Sequence, residues 1–442
     1  MQGHPLDRLK RRLTLTDATM LVVASVIGSG IFFTPGLVAD QLPHPAWIFA
    51  AWIAGGVISL AGALTNAELG AMFPRAGGDY VYLRKAIHPL AGFLVGWLTF
   101  FAIYAGTIAA LALAFGEGLV AWLGWNSDWT LAIALTVTAA LSLLNYVGVR
   151  LGARTNNLIS SVKIAALLAF ACIGPFVGTG DLANFSVEAT SSISLVAFGL
   201  AMSPVLFTYL GWNASLYVAS EIRDPGRNIP RSLFAGLAIC GGLYLLVNAV
   251  YLYAIPLVEL RETGDAGQQA AQNLFGAVGA GLVSTFVLIS VLGTLNATVL
   301  VGPRIAYAMA LDGLFFKGAA AVHDRYETPG RAIVVQGVAA LALLLLLRSF
   351  PSVLDFTTFA ILLAAMADVA ALFRMRSIAP QQPRPYRAWG YPWVPLLYGL
   401  SMAAIALAML LGRPVESGIA TLCLIAGWPF YAWFRRRAGA PD

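Results

Sequence analysis

The stretch LVVASVIGSGIFFTPG, Leu21 to Gly36, begins as an apolar membrane-type helix and then sets Gly28, Ser29 and Gly30 side by side. A helix in lipid satisfies its own peptide groups, so an interruption in the middle of a span leaves several without partners where water cannot supply them. Small residues in membrane helices also serve close packing, but that use spaces them by four along one face, whereas three in a row point in three directions. The other reading is a built-in break. Glycine lowers the cost of leaving helical φ/ψ, and the freed amides at the positive end of the following half-helix favour an anion.

The remainder of the chain sets the environment of that break. Its 442 residues are 59% hydrophobic and 11% charged, against roughly 25% charge in a soluble domain. At about 20 apolar residues per span, twelve segments qualify, near 15–39, 46–73, 88–116, 129–147, 155–178, 192–219, 231–256, 280–310, 331–348, 351–373, 391–411 and 415–434. The ten-residue alternation of outer-membrane barrels is absent, so the expected fold is an all-α polytopic membrane protein with twelve transmembrane helices. The first segment is too long for a signal peptide and lacks a small-residue cleavage site, so it is expected to remain.

Of the 27 Lys and Arg residues, 23 fall at alternate span ends that include the N-terminus, beginning with Arg8, Lys10, Arg11 and Arg12. Three, Arg261, Arg348 and Arg413, fall at the opposite ends. This bias predicts a cell-membrane protein with cytoplasmic N- and C-termini. It also accounts for the net charge of +6 without nucleic acid, which is not an expected partner. Cys172, Cys240 and Cys423 lie in predicted spans without paired or His-linked spacing, which argues against a metal site and fits small packing residues.

A second interruption, FTYLGWN, Phe207 to Asn213, lies in the sixth span after Pro204. The two breaks open two blocks of five spans, and because five is odd the second block enters from the opposite side, as an inverted repeat. Interrupted spans at matching positions in two halves point to a transporter's midplane site. Helix 6 offers carbonyls at the end of its first half, near Tyr209 to Gly211, as helix 1 offers amides. A ligand bearing a carboxylate and an ammonium on adjacent atoms would bridge them, which describes an α-amino acid. Phe207 and Trp212 read equally as core or lipid-facing aromatics, while Asn213, polar in mid-span, is expected on the cavity wall.

The remaining basic residue, Lys163, lies in helix 5, nine residues beyond Arg154 and so about 13 Å into the bilayer. A charge at that depth costs about 2.5 to 3.5 kcal/mol even on the lenient insertion scale. Lys163 can snorkel to the interface, replace a bound cation by donating to helix 1 carbonyls and to helix 8 groups such as Thr298, or shuttle a proton; the residue types leave these open. Glu68 and Glu221, at the ends of helices 2 and 6, read as gate or loop anchors, and Asp368 and Asn248 as structural. The four histidines sit at loops or span ends and no P-loop occurs, so neither an enzyme nor a nucleotide-driven pump is expected, and no cofactor.

Six segments in order resemble the amino acid, polyamine and organocation (APC) superfamily, and within it bacterial relatives of the L-type amino acid transporters (LAT family). They are VIGSGIFFTPG, NAELGAMFPRAGGDYVYLRKA, LFTYLGWN, EIRDPGRNIPRS, GPRIAYAMALDGLFF and RPYRAWGYPWVP. The resemblance covers nearly the whole chain. It implies a leucine-transporter-like fold working by alternating access: a cytoplasmic segment 1–14, a first repeat 15–178, a second repeat 192–373, two extra helices in 391–434 and a tail 435–442. It further implies that Gly28, Ser29 and Gly30 hold the substrate carboxylate, and that the backbone at Ile27 and at Phe207, Thr208 and Tyr209 holds the amino group. Phe207 would cover the site from outside, and Gly211 and Asn213 would border the side-chain pocket. Lys163 matches a lysine that stands where sodium-coupled relatives bind sodium, and Tyr244 resembles a tyrosine acting near it. The implied activity is sodium-independent exchange of neutral amino acids; a proton-coupled symporter, or an exchanger of cationic amino acids or polyamines, is the alternative. Cationic substrates should bring an acid near the pocket, and helices 1, 3 and 6 hold none in mid-span. Animal members use a cysteine between helices 3 and 4 to join a partner glycoprotein; EGLVAWLGWNSDWT has none, so no disulfide-linked heavy chain is expected.

Overall fold

The computed structural model describes residues 11–147, 152–186, 194–323 and 328–438. The expectations resting on Arg8, Lys10, Arg150, Arg325 and residues 439–442 lie outside these. Among the described residues the backbone is helical with no strand; an isolated bridge joins Leu13 to Ile222.

Among the described residues eleven helices are long and apolar enough to cross a membrane, and a shorter apolar helix stands where the sixth of the expected twelve falls. Helix 1 runs Leu15–Phe33, helix 2 Pro45–Met72, helix 3 Pro89–Leu123, helix 4 Trp129–Val147 and helix 5 Gly152–Val177. Helix 7 is Pro225–Ala254, helix 8 Ala266–Val301, helix 9 Gly330–Leu347, helix 10 Phe350–Ile378, helix 11 Trp393–Gly412 and helix 12 Pro414–Ala438. Helix 6, Leu195–Tyr209, has 15 residues and falls short because the chain leaves the helix at Leu210 and resumes only as the turn Ala214–Tyr217. Gly211 causes the stop: at φ +101° it adopts a backbone other residues rarely take, and a Cβ there would lie 2.7 Å from the Ser25 carbonyl carbon. Helix 8 starts earlier than its apolar run suggests, because Ala266 to Phe275 is a polar-leaning helix that joins the span across Gly276, at φ +70°.

Helix 1 starts on a capping box between Thr14 and Asp17 and divides into Leu15–Val26 and Gly30–Phe33. Helix 3 carries a π-helical turn over Thr99–Tyr104, a feature often found at functional sites. Helix 1 packs on helices 5 and 7, and helix 6 packs on helices 10 and 2; helix 3 packs on helices 4 and 10, and helix 8 on helices 9 and 5. Adding five to each number, with the count returning to one after ten, carries one set of pairs onto the other. Helices 11 and 12 lie against helices 10, 6, 2 and 3. Leu143, Leu346, Leu411 and Leu422 are exposed around the outside, an apolar surface that suits lipid and not water.

Candidate functional site

In helix 1 the first half closes with the Ile27 amide on the Val23 carbonyl (2.9 Å), and the second begins with the Phe32 and Phe33 amides on the Ser29 carbonyl (3.0 Å each). Among the described residues, no turn or loop backbone bond uses the amides of Gly28 or Ser29, and the Ser29 hydroxyl is buried without a partner. The break is therefore rich in unused donors. In helix 6 the Leu210 amide reaches back to the Phe207 carbonyl at 3.0 Å, and the Ala214 amide to the Gly211 carbonyl at 3.0 Å.

The two breaks touch. A Cβ on Gly30 would stand 2.5 Å from Thr208 Oγ1 and 2.7 Å from Thr208 Cα. Thr34 and Thr208 share a hydroxyl contact of 2.8 Å, and the Tyr244 hydroxyl lies 2.8 Å from the Val26 carbonyl and 3.1 Å from the Thr208 carbonyl. Its one proton serves a carbonyl of either broken helix. On one side Phe207 meets Phe350 edge-on at 6.0 Å, and Phe350 meets Phe33 at 6.1 Å. These three rings, from helices 1, 6 and 10, form one cluster.

Lys163 is 2% exposed, so it does not snorkel. Its ammonium donates to the Ile27 carbonyl at 2.8 Å and to Thr294 Oγ1 at 2.7 Å. The expected helix 8 contact, Thr298, is corrected to Thr294, one turn earlier. Thr294 Oγ1 also lies 3.0 Å from the Ala24 carbonyl and 2.8 Å from that of Ile27, so lysine and threonine together hold the carbonyls of the break. Thr298 instead donates to the Thr294 carbonyl at 2.8 Å.

From Ser25 and Gly211 a cavity extends to the loop between helices 2 and 3. Gly211, Asn213 and Thr298 line it, whereas Ile27, Gly28, Ser29, Gly30, Phe207, Thr208 and Tyr209 are not on its wall. Residues singled out weakly or not at all in the sequence also line it: Asn66, Asp79, Tyr104, Tyr217 and Asp368. Asp79 opens a short helix, Asp79–Ala86, inside that loop. Burial pushes its carboxyl above the usual carboxylate range, against the opposing effect of the bond from Tyr217. Glu68 is an anchor: it pairs with Arg376 at 2.6 Å and Arg384 at 3.0 Å and accepts from the Ala388 amide at 2.7 Å. Glu221 pairs with Arg304 at 3.3 Å, and its carbonyl accepts the Arg12 and Leu13 amides, which pins the N-terminal segment beneath helix 6.

Two interrupted helices meeting beside a cavity, in an all-helical polytopic membrane protein, define a transporter. The amino acid permease family profile matches residues 13–428, and the chain belongs to that family, within the APC superfamily. It is 32% identical over 434 residues to the serine/threonine exchanger SteT of Bacillus subtilis, covering 97% of this chain and 98% of that one. It is 28% identical to the human b(0,+)-type amino acid transporter 1 (96% and 88% covered) and 29% to the mouse large neutral amino acids transporter small subunit 2 (96% and 81%). These relatives are transporters, not enzymes, and the family's substrates are amino acids.

Proposed function

We propose that this protein is a sodium-independent exchanger of neutral L-amino acids in the cell membrane, working by alternating access with both termini cytoplasmic. One observation carries the reading: the Lys163 ammonium occupies the space between the Ile27 carbonyl and Thr294. An ammonium there does the work of a bound cation, holding the helix 1 break open in shape while leaving no charge demand for sodium. The substrate carboxylate takes the amides of Gly28, Ser29 and Gly30, and its ammonium takes the carbonyls at Ile27 and at Phe207 to Tyr209. Gly211 and Asn213 border the side chain, and Tyr244 couples the two breaks. The pairwise helix packing, which repeats on a shift of five, supports a five-plus-five inverted repeat with the short helix 6 counted as a twelfth span.

The cavity runs from the helix 6 break to the loop between helices 2 and 3, and the Phe33, Phe207 and Phe350 rings cluster elsewhere, on the two broken helices and helix 10. Residues 117–130 contain no cysteine, in line with a carrier that needs no disulfide-linked partner. Counterflow tests the reading. Uptake of labelled serine or leucine into proteoliposomes should require unlabelled amino acid inside and ignore a sodium gradient. Equal uptake into empty vesicles driven by sodium or by a pH gradient would overturn it.

A further inference from the structure

At the far end of the cavity, Asp79 of the loop helix and Asp368 of helix 10 meet, each 2% exposed. The two residues line the same stretch of the cavity wall, close enough for their carboxyls to act on one another. Asp79 Oδ2 accepts from the Tyr217 hydroxyl at 2.7 Å, and Asp368 Oδ2 accepts from Asn66 Nδ2 at 2.8 Å. The other oxygen of each, Asp79 Oδ1 and Asp368 Oδ1, has no partner, and neither has Asn66 Oδ1, on a residue also 2% exposed on the cavity wall. All three orphans are acceptors. The site is short of hydrogen, and two carboxylates cannot bond one another without one.

The surroundings supply no counter-charge. Tyr82 of the loop helix, Tyr104 of helix 3, Tyr217 beyond helix 6 and Tyr398 of helix 11 face the pair with phenols. Among the described residues no cation pairs with either aspartate: Arg84 is taken by Asp312, Arg304 by Glu221, and Arg376 and Arg384 by Glu68. Two like charges buried together in low dielectric repel strongly, which favours holding one proton between them.

We propose that Asp79 and Asp368 form a proton-binding site that shares one proton between two carboxyls on the cavity wall. The proton enters from water in the cavity and returns there, and the pair changes from one negative charge to two when it leaves. A hydrogen-bonded path, Asn213 Nδ2 to the Tyr217 hydroxyl at 3.3 Å and on to Asp79, joins the pair to the helix 6 break. Its charge state therefore reaches the substrate site. Loss of the proton sets the loop helix and helix 10, which pack together, in electrostatic opposition, and so favours their separation as pH rises. The effect on transport rests on the exchanger reading; the proton site itself does not.

Infrared difference spectra of the full chain in lipid nanodiscs, between about pH 5 and pH 9, read the site directly. The wild type should lose a protonated-carboxyl band as pH rises, and Asp368→Asn should lack that component. Tyr217→Phe, which keeps both carboxyls but removes a donor to the ionised form, should move the same loss to higher pH. Identical carboxyl titrations in wild type, Asp368→Asn and Tyr217→Phe would overturn the proposal, as would a pair ionised throughout. Proteoliposome exchange should depend on pH in the wild type and lose that dependence in Asp368→Asn; an unchanged pH profile would refute the link to transport. Absence of any amino acid flux would sink the exchanger reading and leave the infrared result standing.

Discussion

Gly30 gives the most quantitative handle on the site. Replacing it by alanine puts a methyl 2.7 Å from Thr208 Cα and 2.5 Å from Thr208 Oγ1, where nonbonded carbons prefer about 3.5 to 4.0 Å. The side-chain oxygen can rotate away, but the Cα belongs to helix 6, so the two broken helices must separate by about 1 Å. Overpacking of this kind costs about 1 to 3 kcal/mol. If that strain falls on the substrate-bound state, affinity drops about 5- to 100-fold, since 1.4 kcal/mol is tenfold. Gly28→Ala is milder, its closest contact being the Thr294 side-chain methyl at 3.0 Å with Leu111 Cδ2 at 3.4 Å, and Gly242→Ala meets nothing within 4 Å. Binding of labelled amino acid to purified protein should therefore weaken in the order Gly30→Ala, Gly28→Ala, Gly242→Ala, the last being equal to wild type. Gly30→Ala binding as wild type would refute the contact between the breaks as part of the site.

Lys163→Met should leave thermal stability within about 2 kcal/mol, because the two lost charge-assisted bonds are offset by relief from burying the ammonium, yet should cut exchange at least about tenfold in proteoliposomes. Thr294→Val should reproduce much of that loss and Thr298→Val little of it, as only Thr294 touches the ammonium; equal effects would undo the corrected assignment. Glu68→Ala strands two arginines in a buried site and should lower stability by about 3 to 5 kcal/mol, visible as loss of monodisperse protein on heating, whereas Arg376→Met leaves Arg384 and the Ala388 amide in place and should cost less. Burial pushes the Asp265 carboxyl up to about 6. A raised carboxyl favours the folded state at low pH, so its contribution should fade as pH climbs through that value, and melting curves of Asp265→Asn should lack that part of the decline.

The breaks were legible because glycine and proline mark where a membrane helix stops, and Lys163 because a lone charge at that depth has few explanations. What those residues touch was harder to read. Thr294 and Thr298 sit one turn apart on the same face of helix 8, and only the axial placement of helix 5 against it decides which meets the ammonium. Asp79 was hidden for a different reason. It lies in a loop whose chain folds back as a helix under the cavity, and no periodicity in residues 74–87 reveals that Asp79 faces Asp368, some 290 positions away. Helices 1, 3 and 6, whose breaks and neighbours frame the pocket, carry no mid-span acid, while the carboxyls on the cavity wall stand on helix 10 and the loop. The sixth span was the hardest to delimit, because Gly211 ends its helix at the break and leaves only 15 residues, Leu195–Tyr209, before it.

A structure of the protein with a neutral L-amino acid bound tests the central claim most directly. The expected result is a carboxylate within about 3 Å of the amides of Gly28, Ser29 and Gly30, with the ammonium on the carbonyls of Ile27 and the end of helix 6. An amino acid seated only in the cavity near Asp79 and Asp368, with its carboxylate away from the helix 1 break, would contradict it.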